Sequence, residues 1–431
     1  MRKTKFSPEV EDFVQFIWQN QYFNKEDLSS EQGEKLNIIK PGFLNNDSGP
    51  DFKNAEIIID DVTWAGQVEI HINASDWFKH SHQNDPNYDN VILHVVWNYD
   101  RDIFRNDGSI IPVLALENRV KRSVLLNFKG MRNLNGIACS NQLSEIPHLE
   151  MTFMIQRAFV ERMESKTERV KTLLNQTKND WNVVALRFFL ENLSFNKNRD
   201  LFIHLGRLIP WKKWHNLNLK QKEALIFGLS GMLSKPVDAY SRELYHEFKF
   251  LKYKWNLATG IKAHQWIFSK IRPSSFPSIK LAQFCSLTTQ TQHFFDHCLY
   301  TKSPKAFLDL FKGSVSEYWQ RHYYFQKASG NSKKGISRAS SEKLMANFWV
   351  PLLMSYADYR SDFDLKIRAL QLLDPIGPES NNIINHWKKC HITPVNLTES
   401  QGLIQLYKYY CSNKLCLNCR IGKNILTLNS N

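Results

Sequence analysis

The side chains that can do chemistry crowd into one stretch, GPDFKNAEIIIDDVTWAGQVEIHINASDWFKHSHQNDPNYDNVILHVVW, which runs from Gly49 to Trp97. Asp51 follows Gly49–Pro50, and Glu69 and His71 stand two apart in the run VEIHI. In a strand, period-two alternation puts Glu69 and His71 on one face and Val68, Ile70 and Ile72 on the other. Two carboxylates brought together across a hairpin make a hard-oxygen site suited to Mg²⁺ or Mn²⁺. An ion held there can polarise a phosphoryl oxygen and activate a water. His80, His82, Asp85 and Tyr88 follow with the spacing HxHxxDxxY, and His94 interrupts an apolar run. They read as a second layer around the carboxylates, as phosphate contacts, or as ligands for a softer ion such as Zn²⁺. Taken singly, each histidine reads as a surface residue or, for His94, as a hydrogen-bonded residue of a core strand. Asp60 and Asp61 read as a turn and receive no catalytic role.

A second group lies near the C-terminus, where Cys411, Cys416 and Cys419 form C-x4-C-x2-C beside basic residues. Three thiolates need a fourth ligand to hold Zn²⁺, and Cys390, His391 or Cys139 can supply it. The alternative is reduced thiols closing a helical domain. Cys285 and Cys298 fall in apolar helical stretches and read as core.

The elements that must position these groups follow from the hydrophobic period. Pro8 to Asn20 reads as a helix with Ser7 as its cap and Val10, Phe13, Val14 and Ile17 on one face. After the Gly/Asn/Pro-rich segment KPGFLNNDSGPDF come strand-like runs at Glu56–Asp60, Gln67–Asn73, Val91–Tyr99 and Ile110–Leu116. Arg119 to about Met131 returns to helix. From about Leu149 the helical period takes over, in stretches such as WNVVALRFFLENLSF and QKEALIFGLSGML. The fold class expected is α+β followed by α. Residues 1–130 form a mixed α/β sheet domain, and residues 149–431 form a mainly helical domain ending in the cysteine tail. The segment Ala328–Ser341, rich in Gly, Ser and Lys, reads as a mobile loop.

The chain has 431 residues, with 56 Lys and Arg against 42 Asp and Glu, a net charge of +14 that favours DNA or RNA as partner. No apolar run spans a bilayer and no hydrophobic stretch follows the first basic residues, so a cytoplasmic protein without a membrane role is expected. Seven cysteines, an odd number spread over the chain, do not suggest a disulfide framework. Trp211–His215, Lys270–Lys280 and Tyr318–Phe325 interleave aromatics with basic residues and are candidates to line a nucleic-acid groove. Nothing matches a P-loop.

Pro50–Asp51, seventeen intervening residues and then Glu69-x-His71 resembles the PD-(D/E)XK nuclease motif, with His where that family usually has Lys. The resemblance implies a restriction-endonuclease-like domain in which Asp51 and Glu69 bind metal and His71 positions or activates water. Glu11 then corresponds to the helical acidic residue of many members. Some members carry an iron–sulfur cluster whose last cysteines lie beyond the nuclease core, a layout the tail resembles loosely. Over most of its length the chain also resembles an uncharacterised bacterial domain-of-unknown-function family, through GPDFKNA, GQVEIH, DWFKHSHQNDPNYDNVILHVV and CLNCRIG. The expected function is metal-dependent cleavage of DNA or RNA. The alternatives are a non-catalytic nucleic-acid-binding scaffold on the same fold and a hydrolase with a His-rich Zn²⁺ site.

Overall fold

A computed structural model of the protein describes residues 8, 10–45, 47–133, 136–194 and 197–427. Two compact units emerge, one made of Met1–Met154 with Tyr407–Asn431 and the other of Ile155–Leu406.

The first unit is built on a mixed sheet. Its first helix, α1 (Glu11–Asn20), buries Phe13, Val14, Phe16, Ile17 and Trp18 and places Glu11 and Asp12 in the first turn, where the helix dipole favours acids. It begins three residues after Pro8 and has no side-chain cap, while Ser7 lies outside the described residues. The strands are β1 (Leu36–Lys40), β2 (Phe43–Leu44), β3 (Phe52–Ile59), β4 (Val62–Asn73), β5 (Val91–Asn98) and β6 (Val113–Ala115). Their order is β1-β3-β4-β5-β6, with β2 also paired to β3. β1, β3 and β4 run antiparallel, and β4, β5 and β6 run parallel. β1 and β2 were not legible in the sequence. β1 buries one residue of five, so it lacks an apolar alternation, and β2 falls inside the Gly/Asn/Pro-rich segment.

Both faces of the sheet are covered, which explains why β5 is buried from Val91 to Trp97. On one face Phe13 of α1 stacks 4.5 Å from Phe128 and lies 6.0 Å from Trp97. Phe128 belongs to the helix Arg122–Asn133. On the other face Trp77 and Tyr88 pack with Val91, Val96, Ile103, Ile111 and Val113. Trp77 comes from the short helix α2 (Asp76–Lys79), and Tyr88 from the second of two 3₁₀ turns, His82–Asn84 and Pro86–Tyr88. The connection from β4 to β5 is thus folded down onto the sheet. The C-terminal helix Arg420–Thr427 belongs to this unit, not to the helical region where the sequence reading placed it. Asn127 donates to the Ile425 carbonyl at 3.0 Å, and the Arg420 guanidinium pairs with Glu150.

The second unit is helical. Trp181–Leu193, Leu219–Leu229, Ala239–Trp255, Pro277–Gln290 and Val350–Arg360 enclose a core rich in Phe189, Phe284, Phe294, Phe348 and Trp349. The expected mobile loop is anchored instead. Gln283 donates to the carbonyls of Lys334 and Gly335 at 2.8 and 3.0 Å, and the Val315 amide to that of Lys333 at 3.1 Å. The aromatic–basic stretches also turn inward, since Trp211, Trp214, Trp319 and Phe325 are buried. Those four rings serve the core, while Phe276, Tyr318, Tyr323 and Tyr324 in the same stretches are half-buried. No helix among the described residues is long and apolar enough to cross a membrane.

Candidate metal and catalytic site

Asp51 and Glu69 meet because of a one-residue irregularity. From the two-residue turn Asp60–Asp61 the hairpin pairs Ile59 with Val62 and continues to Ala55 opposite Gly66. Regular pairing from there would put Phe52 opposite Glu69. A register shift between Phe52 and Ala55, where Asn54 takes φ +58°, puts Phe52 opposite Val68 instead. Asp51 therefore comes level with Glu69. The two residues interlock: the Asp51 amide donates to Glu69 Oε2 at 3.0 Å, and the Ile70 amide donates to Asp51 Oδ2 at 3.1 Å. Gly66 permits the neighbouring crossing, because a Cβ there would lie 2.4 Å from the Ile92 side chain and 2.7 Å from the Asn90 carbonyl.

Burial and like charge raise the pKa of both acids. Burial, with Glu69 adding to it, pushes the Asp51 carboxyl up to about 7, against hydrogen bonds from Gln15 and the Ile70 amide. Glu69 is pushed up to about 8 by burial, with the Asp51 amide opposing and Glu11 contributing. Glu11, at the start of α1, is also raised, by burial first and then by Asp51, with His80 opposing. Three acids thus share one mouth. A cation placed among them would reverse every one of these shifts.

The imidazoles form the adjoining wall. His71, on the same face of β4 as Glu69, is buried with both ring nitrogens occupied. Nδ1 lies 2.8 Å from His94 Nε2, and Nε2 lies 2.9 Å from His80 Nδ1. Burial, and after it the neighbouring His82 and His80, pushes His71 down to about 3. His94 is held well below the usual range by complete burial. His82 stacks on Tyr88 at 3.8 Å, and its Nε2 is buried 3.3 Å from Glu69 Oε1 without a well-aligned hydrogen bond. Burial lowers His82 as well. Donor atoms of His71, His80 and His82 all lie within 4.8 Å of one another.

The structure therefore gathers Glu11, Asp51, Glu69, His71, His80, His82 and His94 around one point of the sheet. Asp85 and Tyr88 act beside it. Asp85 accepts from the Asn87 amide at 3.0 Å and caps the last 3₁₀ turn, while Tyr88 supplies the stacking ring. Asp76, Gln15 and Trp77 were missed at the sequence level. Asp76 accepts from the Asn73 amide at 2.9 Å and pairs with Lys79, which sets the chain's exit from β4. The i, i+4 spacing of Glu11 and Gln15 was the available sign that both side chains point to the same place.

The tail cysteines sort differently. Cys411 closes a π-helical turn, Cys416 opens a 3₁₀ turn, and Cys411 and Cys419 are buried. Of the three candidate fourth ligands, Cys139 shares their unit, whereas Cys390 and His391 belong to the other. In the helical unit, the C-terminal half of Ala239–Trp255 presents Lys249, Phe250, Lys252, Tyr253 and Lys254 to solvent, with Tyr253 92% exposed. This basic aromatic face was not read from the sequence, where the run EFKFLKYKW looks like any amphipathic helix.

No curated protein and no solved structure matches this chain. A family model described as "Protein of unknown function (DUF2851)" matches residues 11–382, which takes in the whole carboxylate–imidazole cluster and stops short of the cysteine tail. The match extends over well more than half of the chain, and the protein belongs to that family.

Proposed function

We propose that the protein is a metal-dependent phosphodiester hydrolase acting on nucleic acid, with its centre at Asp51 and Glu69. The observation that carries the reading is the interlocked pair of acids, Asp51 half-buried and Glu69 buried, pushed up to about 7 and about 8. Buried like charges are costly unless a cation compensates them, and such arrangements concentrate at functional sites. The antiparallel β3–β4 hairpin continued by parallel β5 supports the nuclease-like reading, since it presents both acids at one place on the sheet.

In this reading Asp51 and Glu69 are the ligands and Glu11 extends the acidic mouth. A bound divalent ion supplies the charge that polarises a phosphoryl oxygen and lowers the pKa of a water. The residues present fit such a group: the acids are half of an ion site, and buried His82 Nε2 lacks an aligned partner. His71 is fixed through Nδ1 by His94, and its Nε2 faces His80 and Glu69 Oε1 beside the acids. The +14 charge and the exposed Lys249–Lys254 face support a polyanionic substrate. A second ion, Zn²⁺ or an iron–sulfur cluster at Cys411, Cys416 and Cys419, belongs to the same proposal, with Cys139 the candidate fourth ligand that shares their unit. Metal and sulfide analysis of the purified chain, beside Cys416→Ser, tests that part.

The deciding experiment is cleavage of labelled single- and double-stranded DNA and RNA with Mg²⁺ or Mn²⁺, comparing wild type with Asp51→Ala and Glu69→Gln. Metal-dependent cutting that both substitutions abolish supports the proposal and names the substrate. Binding without cutting, unchanged by either substitution, makes the protein a nucleic-acid scaffold instead.

A further inference from the structure

The side chains beside Asp51 carry a more specific statement than "divalent ion". Glu69 divides its two oxygens: Oε2 accepts from the Asp51 amide, while Oε1 faces the imidazoles. From Oε1 it is 3.7 Å to His71 Nε2 and 3.3 Å to His82 Nε2, and from His71 Nε2 it is 2.9 Å to His80 Nδ1. Four donors at about 2.0–2.2 Å from a common tetrahedral centre lie about 3.3 Å from one another, so these three separations bracket the spacing of a zinc-type shell. We propose that His71 Nε2, His80 Nδ1, His82 Nε2 and Glu69 Oε1 form a binding site for one transition-metal ion of the Zn²⁺ class, adjoining the Asp51 carboxylate.

The surroundings are those a nitrogen-rich ion site needs. His71 Nδ1 faces buried His94 Nε2, a contact that fixes the His71 ring and its tautomer. The stacked Tyr88 ring and the edge of Trp77 hold the His82 plane. His80 is exposed, which gives an ion a way in. His82 Nε2 is buried and aimed at Glu69 without an aligned hydrogen bond, an arrangement that a shared ion between the two would satisfy. Three imidazoles and one carboxylate also select against Mg²⁺, which prefers oxygen and keeps its waters. The competing arrangement is a metal-free chain of hydrogen bonds through His94, His71 and His80. The proposal names an ion for the hydrolase site but stands on its own geometry.

The test uses the full chain, stripped with chelator and titrated with Zn²⁺ against a chromophoric competitor, then with Co²⁺ followed by visible absorption. Wild type is expected to bind one more equivalent than His80→Asn or His82→Asn, or to bind it at least about 10-fold more tightly, and to give four-coordinate Co²⁺ bands that both variants lose. Asp51→Asn and Cys416→Ser keep those bands, which separates this site from the acidic mouth and from the cysteine tail. His80 and His82 are not core residues, and unchanged circular dichroism verifies their folding. Equal Zn²⁺ stoichiometry and affinity in wild type and both histidine variants overturns the proposal, as does absence of Zn²⁺ binding. Cleavage with Mg²⁺ that needs Asp51 but finds no Zn²⁺ site sinks this inference and leaves the hydrolase reading intact. A bound ion without cleavage does the reverse.

Discussion

Each unit buries a carboxylate whose pKa is raised, and the two cases differ in what faces the acid. In the helical unit Glu223 is fully buried and pushed up to about 7, by burial alone on the raising side. It is answered by a neutral donor, the Tyr240 hydroxyl, whose ring stacks on Tyr318 at 4.2 Å. In the sheet unit Glu69 is pushed to about 8 and faces a second acid, Asp51, a third, Glu11, and two imidazoles. A raised pKa therefore does not mark a site by itself. Glu223 is an acid raised by burial and satisfied as a hydrogen-bonded core residue. Asp51, Glu69 and Glu11 are raised by burial first and by neighbouring acids second, and the repulsion among their charged forms is what an ion would relieve.

The largest effect that can break this contrast is on activity. Asp51→Ala and Glu69→Gln are expected to lower cleavage by roughly 100-fold or more, while Glu223→Gln leaves it within twofold, because displacing a reacting group by as little as an ångström already costs about 100-fold. Equal losses in all three would show that the sheet cluster is no more special than the helical one. Asn54→Val should act like the loss of Asp51. A β-branched residue resists φ +58° and favours regular pairing of the full-length strand, which takes Asp51 out of level with Glu69, whereas Asn54→Gly keeps φ +58° and keeps activity.

Stability against pH sharpens the other side. Glu223 has a folded pKa of about 7 against an ordinary 4.5, so its stabilising contribution is complete below 4.5 and is lost as pH rises to about 7. By linkage that loss is about 3 kcal/mol. Lys222 beside it is pushed down to about 8 by burial, so stability is regained as pH rises from about 8 toward 10.5. Asp51 and Glu69 lose stability over the same rise in pH, so denaturant unfolding is expected to show a minimum near pH 7–8, and Glu223→Gln should remove only its own share of the acid side. A divalent ion at saturating concentration should raise wild-type stability by about 3 kcal/mol at 100 times its Kd, and raise Glu69→Gln far less. The smallest effect concerns the exposed helix face. Tyr253→Ala should weaken single-strand binding by about 1–3 kcal/mol while changing stability by less than about 0.5 kcal/mol.

Much of the site was legible from residue order because its core is local. A strand places every second side chain on one face, so Glu69 and His71 had to be neighbours, and a hairpin whose turn is Asp60–Asp61 had to return Asp51 toward Glu69. That His80, His82 and His94 belong with Asp51, Glu69 and His71 was readable from their order in the chain, and the direct contacts of His71 with His94 and His80 were not. Nothing local says that the chain after Asn73 folds back over the sheet, which depends on Trp77 and Tyr88 finding the apolar ground of Val91 and Val96. The same blindness to burial made Trp211 and Trp214 look like a binding surface, although aromatic rings beside lysines are core residues whenever a partner face can cover them.

From its sequence alone the protein had a sheet domain with a carboxylate–imidazole face, a long helical region and a basic surface, because alternation, helical period and net charge are properties of the chain itself. Tertiary structure decided which polar groups converge. It decided that one irregular residue brings Asp51 level with Glu69, that Glu11 closes the mouth from another element, that Asp85 caps a turn, and that the cysteine tail joins the sheet unit with Cys139. Those outcomes depend on long-range packing of apolar side chains, which acts through space and leaves no period in the sequence to read.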